Sequence, residues 1–277
     1  MQNDRWPKIS IITCTYNCAQ HLEKALHSVE AQSYPNLEHI FNDGFSTDGT
    51  LEIIKAYARR NRHRYPIRFM LSPSRGVANA LNIATIKASG DIIHYLHGDD
   101  YYFSRDALER VAAYFMRYPQ TVWLTGNFLV EIGGRQFHIP HTHLLRADPE
   151  RAISAMNFIH HENTFMQREA VQAYGGFNED KRSVVEYGLW LRLIRDHKPR
   201  IVNEVFTVFI IHKGSTSTGN IFRFAKAVLR AFHTQREEKV IPLIGHYPEK
   251  KGYQRYRKAL RSVRRMLAML DFNNIRF

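Results

Sequence analysis

Hydrophobic positions along the first hundred residues alternate between two rhythms. Short β-branched or continuous apolar runs mark strands, and longer stretches with apolar residues three or four apart mark helices. Lys8 to Cys14, bounded by Pro7 and the polar Thr15-Tyr16-Asn17, reads as a first strand. His21 to Gln32 sets Leu22, Ala25, Leu26 and Val29 on one helical face. Leu37 to Phe41 is a second strand that runs into a loop of turn residues, Asn42-Asp43-Gly44-Phe45-Ser46-Thr47-Asp48-Gly49-Thr50. Asp48 or Thr50 can cap the helix that follows through Ala58. Ile67 to Leu71 is a third strand, Ser72-Pro73-Ser74-Arg75-Gly76 its loop, and Val77 to Ala88 a helix. Asp91 to Leu96 is a fourth strand, which leads to His97-Gly98-Asp99-Asp100-Tyr101-Tyr102.

Four strand–helix alternations with short loops predict an α/β fold, a parallel sheet covered by helices. Ligands of such sheets sit beyond the carboxyl ends of the strands. Each polar cluster here follows a strand, so the fold should gather them along one edge. Two adjacent carboxylates at a strand end repel each other unless a cation lies between them, and hard oxygen ligands suit Mg²⁺ or Mn²⁺ shared with phosphates. Taken alone, Gly98-Asp99-Asp100 is equally a solvated turn. The company of the other loops favours a metal–diphosphate site.

After residue 103 the elements become mixed. The pattern predicts a helix from Asp106 to Arg117, a strand from Thr121 to Thr125, and a hairpin within 126–145 that turns at Gly133-Gly134. A short strand follows at Asn163 to Gln167, then an amphipathic helix from Glu186 to Arg195, then a strand from Val202 to Ile211. The division expected is a domain over 1–215, with a donor-binding half at 8–103 and an acceptor-side half at 104–215, and an extension over 216–277.

Composition sharpens that division. The 277 residues carry a net charge of +13, but residues 221–277 hold 14 Lys+Arg against 4 Asp+Glu, a net of +10. In the extension Tyr253, Tyr256, Leu260, Val263, Leu267 and Leu270 share a helical face, with Arg255, Arg257, Lys258, Arg261, Arg264 and Arg265 between them. This basic amphipathic pattern fits a membrane surface or a helix docked on its own core. Nucleic acid is the less favoured partner, because it leaves the apolar stripe uncovered. No apolar run reaches membrane-spanning length. The N-terminus lacks the basic-then-apolar order of a signal peptide. Two cysteines, Cys14 and Cys18, make neither a disulfide framework nor a zinc site, which points to a reducing cytoplasm. Cys14 reads as strand packing, and His138, His141 and His143 lack a fourth convergent ligand for zinc.

Three spaced motifs carry a family likeness. Ile9 to Asn17, Asn42 to Thr50, and Ala88-Ser89-Gly90-Asp91-Ile92-Ile93 leading into Gly98-Asp99-Asp100 resemble the family 2 glycosyltransferases with a GT-A fold, over roughly residues 8–215. The resemblance implies inverting transfer of a sugar from a nucleotide diphosphate donor, a UDP-sugar first among them. The acceptor implied is a hydroxyl of a glycan or lipid-linked saccharide in cell-surface polysaccharide synthesis. Tyr16 stands where the family packs the nucleobase, with Thr15 and Asn17 beside it. Asp43 matches the carboxylate that meets base or ribose, and Arg75 lies in a loop that faces the donor. Asp99 matches the metal-binding aspartate, Asp100 adjoins it, and His212 is a further ligand candidate for Mn²⁺ or Mg²⁺.

The sequence departs from the family twice. His97 replaces the first aspartate of the D-x-D motif. Glu186, in Val185-Glu186-Tyr187-Gly188-Leu189-Trp190-Leu191-Arg192, replaces the catalytic aspartate, and as a carboxylate it can still take the acceptor's proton. The residue assignment for the acceptor side adds His161, Glu162 and Trp190, with Glu162 as reserve base. A polyprenyl-phosphate sugar transferase and a non-catalytic nucleotide-binding scaffold remain the alternatives. The location expected is cytoplasmic, on the inner face of the membrane where the basic extension holds it.

Overall fold

The computed structural model describes residues 6–139, 142, 148–155, 157, 159–180 and 185–212. The strands are β1 (Ile9–Thr15), β2 (Leu37–Asp43), β3 (Ile67–Leu71), β4 (Ile92–Tyr95), β5 (Tyr101–Tyr102), β6 (Trp123–Ile132), β7 (Arg135–Ile139), β8 (Thr164–Gln167) and β9 (Arg200–Ile211). The helices are α1 (Ala19–Glu30), α2 (Thr50–Asn61), α3 (Val77–Lys87), α4 (Ala107–Arg117), α5 (Pro149–Ala155), α6 (Arg168–Ala173) and α7 (Val185–Leu193). All strands join one sheet in the order β3-β2-β1-β4-β8-β6-β9-β5, with β7 paired to β6. The first four run parallel. β8 enters antiparallel to β4 and to β6, while β6 and β9 run parallel, in the direction of β1.

Helices cover both faces, which is why β1, β2 and β4 read as near-continuous apolar runs. On one face Ile9, Ile11, Leu37 and Phe41 pack with Leu22 and Leu26 of α1, Ile54 and Tyr57 of α2, and Leu108 and Val111 of α4. On the other, Ile12, Ile40 and Ile93 pack with Leu81 of α3, Val171 of α6, and Leu189 and Trp190 of α7. The alternation of Ile11 and Ile12 between the two clusters is the two-residue period of a strand.

The buried polar groups are paired in ways the sheet dictates. Thr13 donates from Oγ1 to the Leu96 carbonyl at 2.8 Å, so it accepts from His39 Nε2 at 2.9 Å. His39 Nδ1 then accepts from the Tyr57 hydroxyl at 2.8 Å, and Tyr57 accepts from Tyr65 at 2.8 Å. Burial holds His39 neutral, pushing its pKa down to about 3, as this one-directional chain requires. Glu38, wholly buried in β2, accepts from Ser10 Oγ at 2.6 Å, from the Ser89 amide at 2.7 Å and from Lys8 Nζ at 3.0 Å.

The sequence pattern holds for these elements with boundary shifts of a few residues. The predicted 121–125 strand continues through Ile132 and turns into β7 at Gly133 and Gly134, whose φ values of 55° and 77° suit a two-residue hairpin turn. The pattern does not predict four short elements among the described residues: β5, α5, the 3-10 turn His161–Asn163 and α6. Neither Asp48 nor Thr50 caps α2 from the N-cap position, which is Gly49 at φ 96°. Asp48 instead braces Thr50 N at 3.1 Å and Ala19 N at 3.0 Å, joining α2 to the start of α1. The extension over 216–277 lies outside the described residues, as do His141 and His143, while His138 is exposed.

Candidate active site

The strand-end loops enclose a cavity of about 460 Å³. Thr15, Tyr16, Asn17 and Cys18 enter it from the end of β1, Gln20 and His21 from α1, Gly44 from β2, and Ser72, Pro73 and Ser74 from β3. His97, Gly98 and Asp99 come from β4, His161 and Glu162 from the turn before β8, Glu186 from α7, and Phe209 and His212 from the end of β9. The loops expected to gather do gather, because β1 to β4 are parallel and place their carboxyl ends together.

At one side the Tyr16 ring is 60% exposed and lies over Gly44. A Cβ on Gly44 would stand 3.0 Å from Tyr16 Cδ2 and 3.4 Å from Ser74 Cβ, so only glycine leaves the ring its place. Asn17, in the left-handed region at φ 48°, ties the neighbouring loop: its amide donates to Ser46 Oγ at 2.8 Å and its Oδ1 accepts from Thr47 N at 2.9 Å. Asp43 does not reach the cavity. Its carboxylate is wholly buried and accepts from Thr15 Oγ1 and Ser46 Oγ, both at 2.6 Å, and from Ser46 N at 2.7 Å. It shapes the wall through Thr15 and Ser46. Arg75 is exposed and stands outside the lining.

Asp99 and His212 meet at the mouth of β4 and β9. Asp99 Oδ2 and His212 Nε2 are 3.0 Å apart. Burial opposes ionisation of Asp99, but the hydrogen bond from His212 and the nearby His97 outweigh it and lower the pKa. The His212 ring packs on His21, with centroids 3.9 Å apart. An octahedral ion with bonds of about 2.1 Å holds adjacent ligand atoms about 3.0 Å apart. The carboxylate oxygen and imidazole nitrogen therefore fit the ligand set of a divalent cation as they stand.

Asp100 differs from its neighbour. It is wholly buried and outside the lining, with Oδ1 accepting from the Ile210 amide at 3.0 Å and Oδ2 without a partner. Burial, then the charges of Asp99 and Glu162, push its pKa well up. Asp100 faces β9 and anchors that strand two residues before His212, outside the cavity that Asp99 lines. Trp190 also corrects an expectation. Its ring is fully buried, stacked on Trp123 at 5.4 Å, with Nε1 donating to the Ile159 carbonyl at 3.3 Å, so it is core and not acceptor-side wall.

Glu186 stands in the first turn of α7 and lines the cavity, with Oε1 accepting from Asn157 Nδ2 at 3.1 Å. Glu162 is 5% exposed, and burial pushes its pKa up to about 7. Cys18 also faces the cavity, but burial pushes its thiol up to about 12, which leaves it protonated and unreactive. The sequence does not single out His21 or Gly44, and offers Cys18 only as a disulfide or zinc residue. Gly44 sat in a loop already marked for its turn residues. Nothing marked His21, whose partner His212 is distant in the chain.

A parallel α/β half with a nucleotide-sized cavity at its strand ends, closed by antiparallel β8 and a long β9, is the GT-A arrangement of glycosyltransferases. The mannosyltransferase PcManGT of Pyrobaculum calidifontis, solved with GDP-Man and Mn²⁺, superposes with a TM-score of 0.66 at 21% identity, over 84% of this chain and 65% of that one. The model of the glycosyl transferase family 2 matches residues 10–175, and the chain belongs to that family. It is 32% identical over 224 residues to the chondroitin synthase of Pasteurella multocida (strain Pm70), covering 78% of this chain but only 22% of the synthase. It is 27% identical over 241 residues to the UDP-Glc:alpha-D-GlcNAc-diphosphoundecaprenol beta-1,3-glucosyltransferase WfaP of Escherichia coli, covering 85% of this chain and 90% of that protein. What the match shows is a domain of that glycosyltransferase family.

Proposed function

We propose that the chain transfers a sugar, with inversion, from a UDP-sugar to a hydroxyl of a glycan or lipid-linked acceptor in polysaccharide synthesis. The observation that carries this reading is the single cavity shared by the Thr15–Tyr16–Gly44 wall, the Asp99–His212 pair and Glu186. The nucleobase lies against Tyr16, with Thr15 held by Asp43 behind it. Arg75 stays available to the donor from the exposed loop. Asp99 and His212 would hold a divalent cation, Mn²⁺ or Mg²⁺, whose chemistry there is to offset the charge of the departing nucleoside diphosphate.

Glu186 is the base. Asn157 holds Oε1, which leaves Oε2 to take the acceptor's proton while the hydroxyl oxygen attacks the anomeric carbon and the bond to the diphosphate breaks. His161 and Glu162 line the acceptor side. Residues 1–215 form the catalytic domain. The +10 charge of 221–277 supports attachment to an anionic membrane face on the cytoplasmic side, where each basic residue near the surface adds about 1 kcal/mol. The likeness to WfaP, named for a GlcNAc-diphosphoundecaprenol acceptor, supports a lipid-linked substrate.

The test uses a panel of nucleotide sugars with diphosphate-lipid and oligosaccharide acceptors, in Mn²⁺, for wild type and Glu186→Gln. Transfer by wild type and a drop in kcat of about 10²–10⁴ in the variant are expected. Full turnover in Glu186→Gln would sink the base assignment and favour a phosphate acceptor, which needs no base. Metal-dependent UDP binding with neither transfer nor donor hydrolysis would mark a scaffold.

A further inference from the structure

Three groups on the cavity wall take no part in the donor and base assignments. His97 follows β4, while His161 and Glu162 stand in the 3-10 turn His161–Asn163 that opens into β8. β4 and β8 are paired, and that pairing brings the two loops together. The Nε2 atoms of His97 and His161 face each other in contact, with ring planes at 85°. Glu162 Oε1 lies 3.4 Å from His161 Nε2. One ligand atom from each of the three lies within 4.8 Å of the others.

Two imidazoles facing through nitrogen can share one proton, and that accounts for the histidine pair. It does not account for Glu162. Its side chain is 6% exposed and Oε2 has no hydrogen-bond partner, an arrangement that is costly for a buried carboxylate. A cation bonded to all three groups resolves both features. A tetrahedral ion with bonds of about 2.0–2.1 Å holds its ligand atoms about 3.3 Å apart. The His161–Glu162 spacing already meets that figure, and the histidine pair meets it by opening through a small rotation of either ring. Two nitrogens and one carboxylate oxygen form the set of a zinc site with an open fourth position; magnesium prefers oxygens throughout.

We propose that His97 Nε2, His161 Nε2 and a carboxylate oxygen of Glu162 bind one transition-metal ion, zinc by its ligand set, separate from the Asp99–His212 pair. The fourth position opens into the cavity that Glu186 also lines, where an oxygen ligand, water or an acceptor hydroxyl, can take it. The site goes beyond the transfer reading and stands without it.

The untagged full-length protein, stripped with a chelator, is titrated with Co²⁺ and followed by visible absorption, then challenged with Zn²⁺. Wild type should take up Co²⁺ with the intense d–d bands of a four-coordinate site, and one equivalent of Zn²⁺ should abolish them. His161→Gln and Glu162→Gln, each shown folded by circular dichroism, should lose the bands and bind Zn²⁺ about tenfold or more weakly. Asp99→Asn should keep them. Absence of the bands in wild type overturns the proposal whatever the variants do. So does their survival in both cavity variants, or their loss in Asp99→Asn, which would assign the ion to the diphosphate end.

Discussion

Side chains that look alike in the sequence take opposite roles at this site. Asp99 and Asp100 are adjacent, yet one lines the cavity beside His212 and the other is buried on the Ile210 amide. The two lie in the turn after β4, which sends one side chain into the cavity and the other against β9. Asp99→Asn should therefore abolish divalent-cation dependence of UDP binding by calorimetry. Asp100→Asn, which keeps an acceptor for Ile210, should leave that dependence in place. The Tyr16–Gly44 contact yields a further expectation. Gly44→Ala pushes a methyl to 3.0 Å from the ring, so Tyr16 must turn. A stacking loss of about 1 kcal/mol corresponds to roughly fivefold weaker UDP binding, with little change in Tm. The loops that hold Tyr16, Asp99 and Asp100 were legible as strand-end motifs, and Glu186 as the head of a helix. Whether a side chain reached the cavity was not legible, as Asp43 and Trp190 show.

Elements carry the stability on which these placements depend. Glu38 in β2 ties β1 and the loop after α3 through Ser10, Lys8 and Ser89. Burial alone would raise its pKa, but these donors lower it from the ordinary 4.5 to about 2. A group depressed in this way stabilises the fold fully above its unfolded value and loses that effect as pH falls through its folded one. Acid unfolding should therefore gain a component between about pH 4.5 and 2. Glu38→Gln should remove that component and cost about 2–3 kcal/mol at neutral pH, read by denaturant titration. The hairpin β6–β7 offers a smaller test. Gly134 sits at φ 77° with open space around it, so Gly134→Ala should cost about 1 kcal/mol from backbone strain alone. The glycine pair marked this turn in advance, while β5, two residues long, left no periodicity to read.

At the scale of the whole molecule, the sheet order assembles a site from residues spread between Thr15 and His212. The insertion of β8 between β4 and β6 sets His161 and Glu162 against His97, and the return of β9 delivers His212 to Asp99. Charge is distributed at the same scale. Removing residues 221–277, which carry most of the net charge, should abolish flotation with anionic vesicles while UDP binding persists. Flotation that survives the deletion would move the membrane contact elsewhere. By itself the sequence determined the parallel first half, because strand and helix periods and turn residues are local properties of a few neighbouring residues. It also determined which loops would meet, since parallel strands leave their carboxyl ends on one edge. Only the tertiary structure decided that Asp99 pairs with His212, that Trp190 is core, that Asp43 works from behind Thr15, and that His97, His161 and Glu162 converge. Those are contacts between residues far apart in the chain, fixed by strand order and by which side of the sheet a side chain takes.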